Sequence, residues 1–170
     1  RSFDALPEIF GFTEAFFAAT GATIVEHTIC AATMGAAWDS VYGDMESADP
    51  REGVHSKLVV IWGANPTVSN THFPPLVRQA AKAGAKVVVI DPRATAMAAR
   101  ADLHLAIRPG TDVVLAMAIA NHWAANGHLD QQFIAAHADG AAAFLAAAGE
   151  WTIERAAEVT GLAAPDITTL

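Results

Sequence analysis

The sequence predicts an α/β fold in which a mainly parallel, doubly wound sheet lies between two layers of helices, giving three layers. Three short apolar runs, at 57–62, 86–90 and 103–107, are the first basis for this prediction. Runs this short, rich in β-branched residues and almost unbroken, are typical of strands that are buried on both faces of a parallel sheet. The second basis is the helical spacing between the runs, because parallel strands need helical crossovers.

Two helices are predicted before the first strand, at 7–19 and 29–41. A short strand at 22–26 should separate them, and the acidic stretch 44–56 should be a surface loop. The first helix is predicted to be amphipathic, with a buried face that is rich in phenylalanine. The apolar residues of that face are Ile9, Phe10, Phe12, Phe16 and Phe17.

Helices are also predicted between and after the strands. Asn70 or Thr71 should cap the helix that follows the first strand. The opening turn of that helix tolerates Pro74 and Pro75, and Gly84 ends it. The remaining helical segments are expected at 95–100, 112–126 with Thr111 as the cap, 130–137, 140–148 and 152–159, with a final stub from Pro165.

Length and composition narrow the class of protein. The 170 residues suit a single domain with a helical lead-in at 1–45, and 53% hydrophobic residues can form a full core. The net charge of −8 argues against nucleic acid as a partner. No apolar run approaches the roughly 18 residues that a membrane span needs. A single cysteine, Cys30, excludes an internal disulfide framework and a cysteine-cluster metal site built by this chain alone.

The start of the chain indicates a fragment. The sequence begins at Arg1, without a methionine and without a signal-peptide pattern. We therefore leave the localisation open, with the cytoplasm slightly favoured over the periplasm.

Polar residues and glycines follow the three predicted strands. The carboxyl ends of parallel strands share one edge of a sheet, and open α/β sheets bind ligands there. The turns at this edge therefore supply the candidate binding residues. These are Gly63, Asn65, Ser69, Asn70, His72, Asp91, Arg93, Thr95, Gly110 and Asp112.

The first turn, Gly63 to Pro66, offers free backbone N–H groups and the positive end of a helix dipole, which together suit an anion or a phosphate. It lacks the G-x-G-x-x-G pattern of dinucleotide-binding folds. From local chemistry alone, an ordinary Asn-Pro turn is the favoured interpretation.

The second and third turns each place an acid at the predicted edge. An acid at the tip of a second parallel strand is where Rossmann-like folds hydrogen-bond a ribose hydroxyl, and Asp91 fits that role as well as it fits a simple turn. Arg93 could pair with a phosphate, and Thr95 could cap a helix or hydrogen-bond the ligand. Asp112 could accept two N–H bonds from a guanine edge, although a plain helix start with Thr111 as the cap is favoured locally.

Cys30 lies in the first turn of its predicted helix, where the dipole favours a thiolate. A thiolate there could act as a metal ligand or a catalytic nucleophile. A small buried hydrophobic residue is the commoner role of a lone cysteine.

Taken together, these segments resemble the large subunits of molybdopterin-dependent oxidoreductases of the dimethyl sulfoxide reductase and formate dehydrogenase type. Each segment is weak evidence alone, but their order and spacing extend over nearly the whole chain. The matching segments are Thr-Ile-Cys-Ala-Ala at 28–32 with Gly35, Ser-Lys-Leu-Val-Val-Ile-Trp-Gly-Ala-Asn-Pro at 56–66, Ile-Asp-Pro-Arg-Ala-Thr at 90–95, Ala-Asp at 101–102, Arg-Pro-Gly-Thr-Asp at 108–112 and Thr-Gly at 160–161.

The resemblance implies a domain that holds one half of a bis(molybdopterin guanine dinucleotide) cofactor. The turn around Asn65 would lie beside the phosphates and the pterin-side linker. Asp91 would bind the guanosine ribose, with Arg93 and Thr95 beside it, and Asp112 would accept hydrogen bonds from the guanine edge. Cys30 falls where family members carry the side chain that ligates molybdenum or tungsten, and a soft thiolate suits either metal. Asp39 and Ser40 are nearby alternatives for that ligand.

The resemblance also implies a larger subunit, of which this chain would be roughly a fifth to a quarter. Its partners would be the other domains of the same subunit, with an iron–sulfur electron-transfer subunit as a further candidate, and a small-molecule substrate. A [4Fe-4S] cluster is expected in the parent subunit but not on this segment. Two alternatives remain: a stand-alone nucleotide-binding or regulatory module without redox activity, and a partner-binding domain from an inactive paralogue.

Overall fold

The computed structural model describes residues 7–23, 29–43 and 47–170, and the chain divides after Ala48 into two compact units. The first unit contains helices α1 (Pro7–Ala19) and α2 (Ile29–Tyr42), and both predictions are confirmed, with α2 ending one residue later than expected. Of the strand predicted at 22–26, residues 22 and 23 form no regular structure, and the remainder lies outside the described residues.

The phenylalanine-rich face of α1 is not buried. Phe12, Phe16 and Phe17 are 74%, 54% and 48% exposed, so the predicted burial is wrong for these three rings. The side chains of Ile9 and Phe10 lie outside the described residues. Helical spacing indicates which side chains share a face, but it does not provide the surface that covers them.

The second unit carries the sheet. In chain order its helices and strands are β1 (Leu58–Trp62), α3 (Pro66–Ser69), α4 (Phe73–Lys82), β2 (Lys86–Ile90), β3 (Leu103–Leu105), α5 (Asp112–Ala125), α6 (Gln131–His137), α7 (Ala141–Ala148), α8 (Ile153–Thr160) and α9 (Ala164–Thr168), with 3-10 helices at Pro50–His55 and Ala98–Arg100. None of the helices in the described part of the chain is long and apolar enough to cross a membrane.

The three strands are parallel and lie in the order β1-β2-β3. Their last residues are in register, because Trp62 pairs with Ile90, and Ile90 pairs with Leu105. The third strand is shorter than the predicted run 103–107, since the N–H of Ile107 turns back to the carbonyl of Leu105 at 2.9 Å. The chain therefore leaves the sheet at the level where the other two strands end.

Helices cover both faces of the sheet, which confirms the predicted three-layer α/β fold. On one face, Val88 and Ile90 pack in a cluster with residues of α5, α8 and α9, including Leu115. On the other face, Val87 and Val89 pack with Val77 of α4 and with the second 3-10 helix. Val89 and Ile90 have no exposed surface, as expected for a central strand between two layers.

Three local predictions are corrected by the structure. The expected loop 44–56 contains a 3-10 helix, because the carboxylate of Asp49 accepts the N–H of Arg51 and pairs with its guanidinium. Neither Asn70 nor Thr71 caps α4, whose N-cap position is His72 and has no side-chain cap bond. The helix predicted at 95–100 is only a 3-10 turn at Ala98–Arg100.

Candidate functional site

The backbone brings the turns after the three strands to the same edge of the sheet. The N–H of Gly63 donates to the carbonyl of Ile90 at 2.8 Å, so the first turn lies against the end of β2. The N–H of Asp91 donates to the carbonyl of Leu105 at 3.2 Å, which joins the second turn to the end of β3. The predicted gathering of these turns is therefore present in the backbone.

The third turn returns across the sheet to β1. The indole Nε1–H of Trp62 donates to Oδ1 of Asp112 at 2.7 Å, although the two residues are 50 positions apart. Because β1 and β3 lie on opposite sides of β2, the segment from Leu105 to Asp112 crosses above the end of β2 to make this contact. Asp91, at the end of β2, and Asp112 therefore border the same edge.

The side chains of the first turn mainly bond within the turn. Oδ1 of Asn65 accepts from the Thr67 hydroxyl at 2.6 Å, and Oγ of Ser69 donates to the Asn65 carbonyl at 3.1 Å. Gly63 has a φ of +59°, a conformation that glycine adopts readily. A Cβ placed there would meet no atom of the described chain within 4 Å, so the space beside this turn is open.

Asn70 and His72 lie farther along, at the approach to α4. Both are exposed, and no side-chain hydrogen bond holds either of them in the described structure. The carbonyl of Asn70 accepts the N–H of Phe73 at 3.0 Å. Nothing in the geometry joins these two side chains to the acidic turns, and their role as binding residues stays a prediction.

Asp91 is nearly buried, at 8% exposure, and its environment is specific. Its Oδ1 accepts the N–H of Arg93 at 2.7 Å, and its carbonyl bonds Nε2 of His104 at 2.9 Å. A carbonyl only accepts, so the His104 tautomer carries its proton on Nε2. The other carboxylate oxygen of Asp91 has no hydrogen-bond partner in the described chain. Since every fully buried side-chain N or O atom among the described residues has a partner, this oxygen must be in contact with solvent.

Arg93 and Thr95 lie in the same turn, but they differ in whether their side chains are free to contact a ligand. Arg93 is exposed, and its guanidinium has no hydrogen bond or ion pair with the described residues. Thr95 is 7% exposed, and its hydroxyl accepts the N–H of Ala98 at 3.1 Å. The Thr95 hydroxyl therefore bonds the first residue of the second 3-10 helix, although the N-cap position of that helix is Met97. Arg93 is the available cation of this turn.

The third turn is anchored by Arg108. Its guanidinium donates to the carbonyl of Val159 at 2.6 Å and its backbone N–H to the carbonyl of Thr160 at 2.9 Å, so it satisfies carbonyls at the end of α8. Thr111 occupies the predicted N-cap position of α5 but makes no side-chain cap bond, and its hydroxyl donates to the Arg108 carbonyl at 2.7 Å. Gly110, with a φ of +81°, completes this tight connection.

Three residues of this edge were not among the predicted site residues: Trp62, His104 and Arg108. Each of them holds one of the acidic turns through a contact between distant parts of the chain. The sequence did contain a signal for two of them, which was their position: Trp62 is the last strand residue before Gly63, and Arg108 is the first residue of the third turn.

Cys30 belongs to the first unit and is described there by itself. It lies in the first turn of α2, as predicted, and it is exposed, unlike a buried structural cysteine. Asp39 and Ser40, the alternatives, lie on the same helix, where the Ser40 hydroxyl donates to the Ala37 carbonyl at 2.7 Å. Among the described residues, no group of three or more His, Cys, Asp or Glu side chains could hold a metal ion.

The sheet edge therefore offers carboxylate acceptors, the guanidinium of Arg93, which is unpaired in the described chain, and open backbone at the glycines. The free oxygens of Asp91 and Asp112 can accept from hydroxyl or N–H groups, and Arg93 can pair with a phosphate. These groups can therefore hydrogen-bond a ligand that presents hydroxyl or N–H donors together with an anionic group. A pocket of about 230 Å³ lies instead beside the amino-terminal half of β1 and α4, and most of its lining residues are apolar.

Comparison with known proteins gives the family. The family profile described as molybdopterin oxidoreductase matches residues 12–163. The chain is 31% identical to the probable oxidoreductase YoaE of Bacillus subtilis over 157 residues, which are 92% of this chain and 23% of that protein. It is 29% identical to formate dehydrogenase H of Escherichia coli over 113 residues, or 66% of this chain and 16% of that protein.

A solved structure supports the same relationship. Acetylene hydratase from Pelobacter acetylenicus is similar with a TM-score of 0.61 and 26% identity, over 70% of this chain and 18% of that one. The chain spans less than a quarter of the length of each of these relatives. Because the family profile covers most of its residues, this chain belongs to the molybdopterin oxidoreductase family.

Proposed function

We propose that this chain is the domain of a larger subunit that binds one guanine dinucleotide of a bis(molybdopterin guanine dinucleotide) cofactor carrying molybdenum or tungsten. The observation that carries the proposal is the meeting of three strand-end turns at one edge, where one carboxylate oxygen each of Asp91 and Asp112 has no partner among the described residues. Membership of the molybdopterin oxidoreductase family supports it.

Each turn has a separate role in this proposal. The open backbone at Gly63 and Gly110 lets the phosphates approach closely, and the exposed guanidinium of Arg93 pairs with one of them. The free oxygen of Asp91 accepts a ribose hydroxyl. Asp112 accepts the N1–H and N2–H groups of guanine, which adenine does not present in that arrangement.

The metal centre of the bound cofactor supplies two-electron redox chemistry, and this chain contributes a ligand and a position for it. Cys30 is the proposed ligand, since its thiol is exposed at the first turn of α2 and a thiolate suits a soft metal. The substrate is a small molecule whose identity this domain does not set. Relatives with the same domain carry names as different as formate dehydrogenase and acetylene hydratase.

The partners in this proposal are the other domains of the same subunit and an iron–sulfur electron-transfer subunit. Relatives are several times longer than this chain, which leaves room for a second wall of the cofactor site. A [4Fe-4S] cluster would be bound outside this segment, because Cys30 is its single cysteine. The isolated chain should therefore bind the cofactor weakly or not at all, and it should have no activity.

The test uses the full-length subunit purified without cofactor and guanosine diphosphate (GDP) as the probe. We expect the protein to bind GDP more tightly than adenosine diphosphate in a calorimetric titration. Asp112→Asn should lose this preference, because an amide cannot accept both guanine N–H groups as a carboxylate does. Asp166→Asn is the matched control, since Asp166 is likewise an acid in a first helical turn, although it is exposed whereas Asp112 is half-buried. Equal binding of both nucleotides by the unaltered protein would refute the proposed site.

A second experiment tests the metal ligand. Cys30→Ser in the full-length subunit should lower the molybdenum or tungsten content or abolish metal-centred activity, while GDP binding by the cofactor-free protein is unchanged. Full metal content together with full activity in this variant would remove Cys30 from the metal site and leave the nucleotide site untouched.

A further inference from the structure

The indole of Trp62 is the one side chain of the described structure that hydrogen-bonds a carboxylate of the proposed base site. Its Nε1–H donates to Oδ1 of Asp112 at 2.7 Å. We infer that Trp62 is a positioning residue for base selection: it fixes the Asp112 carboxylate so that its other oxygen faces the N2–H of guanine. This inference rests on the proposed function, and it assigns the selectivity of that site for guanine to the pair Trp62 and Asp112.

Trp62 is a rigid donor. It ends β1, where its backbone is in register with the fully buried Ile90, and its ring packs against the cluster that contains Leu115. A side chain held by both a strand and a core has little freedom, so its N–H keeps one direction. The donor is therefore fixed before any ligand arrives.

Asp112 would have a competing conformation without this donor. It is the first residue of α5, whose N-terminal N–H groups receive no side-chain cap bond from Thr111. A carboxylate in the first turn is attracted to such groups and to the helix dipole. The bond from Trp62 holds Oδ1 at the β1 side instead, and it leaves Oδ2 without a partner in the described chain.

The remaining lone pairs match guanine. A carboxylate has about four acceptor positions, of which the indole takes one. Oδ2 and the second position of Oδ1 can then accept one N–H each from N1 and N2 of the base. A carboxylate that rotates freely would not hold both oxygens in line with N1–H and N2–H. It would keep a single hydrogen bond, which any base with one N–H group could also make.

The experiment compares GDP with inosine diphosphate (IDP), which lacks the 2-amino group, on the cofactor-free full-length subunit. Trp62→Phe keeps an aromatic ring and removes the donor. We expect it to bind GDP about tenfold more weakly and to reduce the preference for GDP over IDP, since a hydrogen bond to a charged group is worth about this factor. Trp151→Phe is the matched control, because Trp151 packs against the same cluster but has no bond to a site carboxylate.

Two further variants separate positioning from a structural role. Trp62→Phe added to Asp112→Asn should not change the ratio of GDP to IDP affinity any further, because the carboxylate that Trp62 holds is gone. If Trp62→Phe does not fold, β-(3-benzothienyl)alanine at position 62 keeps the ring shape and removes only the N–H. A preserved GDP preference in the folded variant without the donor would overturn the inference.

The outcomes distinguish this inference from the proposed function. If Asp112→Asn leaves the GDP preference unchanged, the proposed base site fails, and the inference fails with it. If Asp112→Asn loses the preference while both Trp62 variants keep it, the base site stands and Trp62 is only a core residue. If Trp62→Phe and Trp151→Phe lower the preference equally, the effect comes from the core and the inference is likewise overturned.

Discussion

Leu115 is the residue through which α5, and with it Asp112, is fixed to the sheet. It has no exposed surface and belongs to the cluster that contains Ile90 and Leu105. Leu115→Ala removes three carbons, which at about 0.8 kcal/mol each is a loss of about 2.4 kcal/mol of transfer free energy. A residual cavity of roughly 50 Å³ adds about 1 kcal/mol at about 24 cal/mol per Å³. We expect the free energy of unfolding to fall by about 3 to 4 kcal/mol.

The assay is urea denaturation of the 170-residue chain, followed by tryptophan fluorescence. Trp62 and Trp151 pack against the same cluster and so report its unfolding. Val113→Ala, on the same helix but at a position that is 70% exposed, should change the free energy of unfolding by less than about 0.5 kcal/mol. A loss below about 1 kcal/mol for Leu115→Ala, or equal losses for both variants, would contradict the packing of α5 on the sheet.

Two further predictions concern the two ends of the strands. The pKa of Asp102 is lowered below its ordinary value of 3.8, first because the Val87 N–H donates to its carboxylate and then because the Lys86 ammonium lies 3.6 Å away. Since folding lowers this pKa, the carboxylate stabilises the fold above pH 3.8 and loses that effect as the pH falls through the lowered value. The urea midpoints of the unaltered chain and Asp102→Asn should therefore differ at neutral pH and converge in acid, and a difference independent of pH would exclude this linkage. At the other end, Gly63→Ala should destabilise the chain by about 1 kcal/mol because of its φ of +59°. Gly53→Ala, at a glycine without a positive φ and with open space, is the control, and equal midpoints for the two variants would contradict the strain.

The sheet was predicted well because each strand can be recognised from its own residues, without information from distant parts of the chain. The runs at 57–62 and 86–90 are β-branched and continuous, and the observed strands match them to within one residue. The caps were predicted less well. The start of α4 is set by the prolines of its first turn, not by the side chain of Asn70 or Thr71. The end of β3 depends on a backbone turn at Ala106 that no residue type demands.

The acidic turns could be predicted from their place after parallel strands, but the long-range hydrogen bonds that hold these turns could not. Trp62 and Asp112 are 50 residues apart, and Arg108 and Val159 are 51 apart. A single sequence contains no signal for such pairs, because they form only once the topology has placed the third turn above β1. The burial of α1 failed for a related reason, since amphipathic spacing does not identify the surface that a helix meets.

The way in which the turns are held explains how stability and binding can be separated at this edge. Gly63 and Asp91 are fixed by their backbone N–H groups to neighbouring strands, and Asp112 is fixed through one of its two oxygens. The groups left for a ligand, which are the guanidinium of Arg93 and the second oxygens of the acids, contribute no hydrogen bond to the described fold. They can therefore be changed at little cost in folding free energy, whereas Trp62 links both properties, since it packs in the core and orients a ligand-facing acid.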